Sequence, residues 1–164
     1  MTTSFATRTE TTAQCIRSAM DLELRVGRLY LEMAARSEGQ PWLRDLLRGL
    51  AAEEDQHAKR IRLLERTRTG AGWGNAELEA VGAGLRRAHG LLDEMEGSVA
   101  SGQIARGGAI AACETILSIE RTLGALHAEM IAGALAPEVR NLFETLAKQD
   151  AHHQAVARDA MKAA

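Results

Sequence analysis

Apolar residues recur at three- and four-residue spacing along nearly the whole chain, the signature of amphipathic helices. Ile16, Met20, Gly27, Tyr30 and Ala34 line one face of a first helix, which starts at Thr11 or Thr12, either able to cap it, and runs to Arg36. Ser37-Glu38-Gly39-Gln40 breaks it. Pro41 suits the first turn of a second helix, whose apolar face carries Leu43, Leu47, Leu50, Ile61 and Leu64 and whose end is expected near Thr69, before the glycine-rich loop 70–75. Leu78, Val81, Leu85, Ala88, Leu92 and Met95 predict a connecting helix over residues 77–96, followed by a glycine-bounded linker to Gly102. A long helix is expected from Gln103 or later to Ala132, and a last one from Pro137 to near the C-terminus. With two prolines and few β-branched residues, the expected class is all-α.

The second half of the chain repeats the first. LELRVGRLYLEMA (22–34) aligns with IERTLGALHAEMI (119–131) at an offset of 97, and PWLRDLLRGLAAEEDQH (41–57) aligns with PEVRNLFETLAKQDAHH (137–153) at an offset of 96. Near-equal offsets mean that one helical hairpin occurs twice, which predicts a single-domain four-helix bundle with an approximate two-fold axis. The long connection over 70–102 lets the second and third bundle helices run parallel. Residues 1–10 are expected to be a flexible N-terminus.

Polar residues interrupt the apolar faces at matching places: Glu23 on the first bundle helix, Glu54 and His57 on the second, Glu120 on the third, Asp150 and His153 on the fourth. Glu54-x-x-His57 and Asp150-x-x-His153 each place a carboxylate and an imidazole one helical turn apart, able to reach a common point. Four buried carboxylates repel one another and lose their hydration, whereas two divalent ions balance their charge and accept neutral imidazoles as donors. Mixed oxygen and nitrogen donors suit iron or manganese, and zinc less well.

On these residues the chain resembles the ferritin-like superfamily, in particular di-iron carboxylate proteins of the rubrerythrin and bacterioferritin type. The resemblance implies that Glu23 and Glu120 are terminal ligands, Glu54 and Asp150 bridging ligands, and His57 and His153 one imidazole for each of two iron ions, with manganese as the other candidate. It implies an oxidoreductase acting on dioxygen or hydrogen peroxide, either a ferroxidase or a peroxide reductase served by a separate electron donor protein. The alternatives are an iron-storage protein and a metal-free structural bundle. Leu123 stands where rubrerythrins carry a further Glu, which implies a six-ligand site, and Asp55 stands where bacterioferritins carry a haem-ligating Met. Tyr30, two turns beyond Glu23, is a candidate hydrogen-bond partner or electron source for the metal pair, or else a core tyrosine with a satisfied hydroxyl. His127 is expected to be structural or to support a ligand, Glu53 and His152 to face solvent, His89 to have no partner, and Cys113 to be an inert buried thiol.

Composition narrows the partners. Twenty Lys and Arg against 22 Asp and Glu give a formal charge of −2, without the basic cluster that a nucleic-acid surface needs. No apolar run approaches the roughly 20 residues that span a bilayer, and the first 14 residues lack the apolar core of a secretory signal, so a cytoplasmic location is expected. Cys15 and Cys113 lie far apart in sequence, form no Cys-x-x-Cys pair and are expected to be reduced. A second apolar stripe on the first helix, Leu22, Val26, Leu29 and Met33, is either covered by the connecting helix or an interface in a homodimer.

Overall fold

Thr11 starts the first helix through a reciprocal cap: its hydroxyl accepts from the Gln14 backbone N–H at 3.3 Å, and Gln14 Oε1 accepts from the Thr11 N–H at 2.8 Å. The computed structural model describes residues 11–67 and 72–163. Over that range it contains α1 (Thr12–Arg36), α2 (Pro41–Thr67), α3 (Asn75–Ala100), α4 (Gln103–Gly133) and α5 (Pro137–Ala163), with no strand among the described residues. The expected flexible segment 1–10 and the expected end of the second helix at Thr69 lie outside the described residues.

Two elements differ from expectation. The connecting helix begins earlier than residue 77 and continues through Gly97 to Ala100, because Val99, buried at 2% exposure, gives its last turn an anchor in the core. Gly102, at φ +72°, then makes the turn into α4. Within α4 the helix breaks at Gly108, whose φ of 67° and ψ of −155° are open to glycine and strained for other residues, so the regular part of α4 starts beyond it.

The helices α1 and α2 form one antiparallel hairpin and α4 and α5 another; α1 also lies beside α4, and α2 beside α5. The connecting α3 runs back along the bundle, so α2 and α4 are parallel, and it packs against α1 and α4. It covers the second stripe of α1: Leu22, Val26, Leu29 and Met33 are all buried within the single chain. A polar network fixes its register. Arg25 on α1 donates to Asp93 at 2.6 Å and to Glu96 at 2.9 and 3.0 Å, and lies 3.0 Å from His89 Nδ1, while Ser18 lies 2.9 Å from His89 Nε2. His89 therefore has partners, contrary to expectation, because α1 and α3 run parallel and bring residues 71 apart in sequence side by side.

Trp73, in the short link before α3, closes one end of the bundle. It is buried, donates from Nε1 to the Met130 carbonyl at 2.8 Å, and sits 6.2 Å from the Phe143 ring. Next to it the Leu135 N–H donates to the Gly72 carbonyl at 2.8 Å, tying the link to the α4–α5 turn. Trp73→Ala leaves a cavity and an orphaned carbonyl, and is expected to lower the unfolding free energy by about 3–5 kcal/mol. Urea titration of the variant against wild type measures it. No described helix is long and apolar enough to cross a membrane.

Candidate metal centre

Each bundle helix delivers its polar residue to the same depth. Glu23, Glu54, His57, Glu120, Asp150 and His153 are all fully buried, and so is His127. Gly27 and Gly124, equivalent in the repeat, allow this convergence by keeping the paired helices close. A Cβ on Gly27 would stand 3.3 Å from the Ala51 carbonyl and 3.5 Å from Glu54 Cβ, and one on Gly124 would stand 3.7 Å from Asp150 Oδ2.

The residues form two triads that share one carboxylate. Glu23, Glu54 and His57 present donor atoms within 4.8 Å of one another, as do Glu54, Glu120 and His153. Glu54 turns one oxygen to each: Oε2 lies 2.9 Å from His57 Nδ1, and Oε1 lies 3.2 Å from His153 Nδ1. His57 Nδ1 is also 3.5 Å from Glu23 Oε2, and His153 Nδ1 is 3.2 Å from Glu120 Oε2. The two imidazole rings lie nearly parallel, with an interplanar angle of 11° and centroids 5.9 Å apart. Asp150, by contrast, joins neither triad: its Oδ2 lies 2.7 Å from His127 Nδ1, and its Oδ1 has no partner.

His127 and Asp150 are hydrogen-bonded, but within the two triads proximity is not hydrogen bonding. Both oxygens of Glu23 and of Glu54, both nitrogens of His57, Glu120 Oε2, Asp150 Oδ1 and His153 Nδ1 are buried without a hydrogen-bond partner. Buried polar atoms are almost always satisfied, so this concentration of orphans in one place marks donors that converge on a common point. Oxygen and imidazole nitrogen donors without thiolate fit iron, manganese or zinc. Buried Glu/His groups of this kind can hold a metal ion.

Burial and close neighbours shift the titration of these groups in opposite directions. Burial pushes Glu54 and Glu120 upward in pKa despite the pull of neighbouring imidazoles. Burial acts on Glu23 too, but His127 and His57 outweigh it and hold that carboxyl well below its usual range. Burial opposes charge on His57, His127 and His153, yet their carboxylate neighbours raise all three.

Two further contacts follow the internal repeat. Tyr30 on α1 donates from its hydroxyl to Glu120 Oε1 on α4 at 2.6 Å. Its repeat counterpart His127, on α4, places Nε2 3.2 Å from Glu23 Oε1 on α1. Glu120 and Glu23 are therefore each approached by the residue seven positions past the equivalent glutamate on the opposite helix. His127 is part of the buried cluster, through a helix other than its own.

Glu53, expected to face solvent, is half-exposed, and its Oε2 lies 3.0 Å from His153 Nε2. It sits one residue off the apolar face of α2, so periodicity alone placed it outside, whereas its side chain bends back across the α2–α5 contact. His152 is exposed. Cys113 is a buried free thiol, raised in pKa by burial, and Leu123 is buried in the apolar core. No family model, curated protein or solved structure matches the chain.

Proposed function

We propose that this chain is a ferritin-like protein with a two-metal carboxylate centre that binds two iron ions and reacts with dioxygen or hydrogen peroxide. The observation that carries the reading is Glu54, one carboxylate whose two oxygens each face a separate triad of buried, unpartnered donors. Glu23, Glu54 and His57 would hold one ion, and Glu54, Glu120 and His153 the other, with Asp150 beside them in the same buried set. When bound, a redox-active pair supplies two electrons, one from each ion, to a small oxidant.

The chain's own residues set the conditions for that chemistry. Four carboxylates supply negative charge that favours the more oxidised pair. Tyr30 donates to Glu120 Oε1 and leaves Oε2 free to face the centre. Apolar layers enclose it: Leu47, Leu50 and Ile61 on α2, and Leu146 and Ala157 on α5, are buried on either side of the polar residues and limit access of water. Reduction after each turnover falls to a separate electron donor.

Anaerobic titration with ferrous iron is expected to load two ions per chain, and stopped-flow mixing with each oxidant is expected to show their oxidation. A chain that takes up no ferrous iron would sink the proposal.

A further inference from the structure

The internal repeat permits a comparison of the two halves of the centre, atom by atom. Both triad histidines face the centre through Nδ1, so the remote nitrogen of each, Nε2, carries the proton once Nδ1 is a ligand. For His153 that Nε2 meets the Glu53 carboxylate at 3.0 Å. By the 96-residue offset the equivalent of Glu53 is Gln149, and the equivalent contact would run from Gln149 to His57 Nε2. It is not made: Gln149 Oε1 accepts from Arg60 at 2.7 Å, and His57 Nε2 is buried without a partner.

Resting on the two-metal reading above, we infer that the halves bind metal unequally, the Glu54–Glu120–His153 half more tightly, and that Glu53 is the positioning residue that makes the difference. A carboxylate on the remote nitrogen fixes the tautomer with the Nδ1 lone pair toward the metal, holds the ring in plane and increases its basicity as a ligand. His57 gains none of these. On ligation it also keeps a buried N–H with no acceptor, which opposes binding. Two cations so close repel each other and would also separate two binding steps, but that separation does not depend on Glu53.

Cobalt(II) is a suitable probe, because its absorption bands report ligation and calorimetry resolves the steps. Wild type is expected to bind two ions in steps at least tenfold apart. Glu53→Ala is expected to weaken the tighter step by 10- to 100-fold and leave the weaker one in place. Glu53→Gln, which keeps an acceptor oxygen without the charge, is expected to recover part of the loss. His153→Ala should remove the tight step and His57→Ala the weak one. Arg60→Ala combined with Gln149→Glu, which releases residue 149 and gives His57 an acceptor, is expected to strengthen the weak step. Equal steps in wild type, or a Glu53→Ala variant that changes neither step or both alike, would overturn the inference and leave the two-metal reading standing. No cobalt uptake by wild type would overturn both.

Discussion

Glu54→Ala is expected to abolish uptake of both ions of the proposed centre, whereas Glu23→Ala and Glu120→Ala are each expected to abolish one. The two triads have only Glu54 in common, with Oε2 at 2.9 Å from His57 and Oε1 at 3.2 Å from His153. Truncating it leaves two donors on each side, fewer than a stable site for iron or manganese requires. Truncating a terminal glutamate leaves the opposite triad whole. Elemental analysis after desalting, with circular dichroism to confirm an intact helical bundle, gives the count. A Glu54→Ala protein that keeps one ion at wild-type affinity would show that the carboxylate is not shared.

The second large effect is thermal. Metal that binds the folded chain and not the unfolded one, at a hundred times its Kd, stabilises by about 2.7 kcal/mol. For a domain of this size that corresponds to a rise of about 5–11 °C in Tm. Glu54→Gln should abolish most of the rise yet melt, metal-free, within a few degrees of wild type. Burial already drives Glu54 toward its neutral form, so an amide of the same shape costs little. Scanning calorimetry with and without chelator tests both statements. Superimposable wild-type curves would favour a metal-free bundle.

The helices were legible in the sequence because their breaks are chemically marked: a capping threonine, Gly39 before Pro41, and the Pro137 that opens α5. The polar centre was legible because Glu23, Glu54, His57, Glu120, Asp150 and His153 interrupt otherwise apolar faces and do so twice. What periodicity does not encode is reach between helices. It assigns His127 to a face of α4 but not to Glu23 on α1, and assigns Glu53 to the outer side of α2 but not to His153 on α5. The repeat held the missing signal for His127: Tyr30 and His127 occupy one position, and a contact from either predicts a contact from the other. The break at Gly108 carries no mark in the periodicity, because a glycine inside a helical pattern gives no sign of its φ. The separate roles of Glu54 and Asp150, aligned in the repeat, depend on a single methylene and on which neighbour each meets.

The passage of α3 along the bundle has a consequence for symmetry itself. Two identical hairpins brought together as separate chains can build only a centre whose halves match, since every substitution appears in both. With α3 joining them covalently, each half varies alone. Three of the positions at which they differ, Tyr30 against His127, Glu54 against Asp150, and Glu53 against Gln149, lie among or beside the buried donors. In the proposed two-metal centre such a division would allow the two ions different tasks, one held fast and the other free to be exchanged.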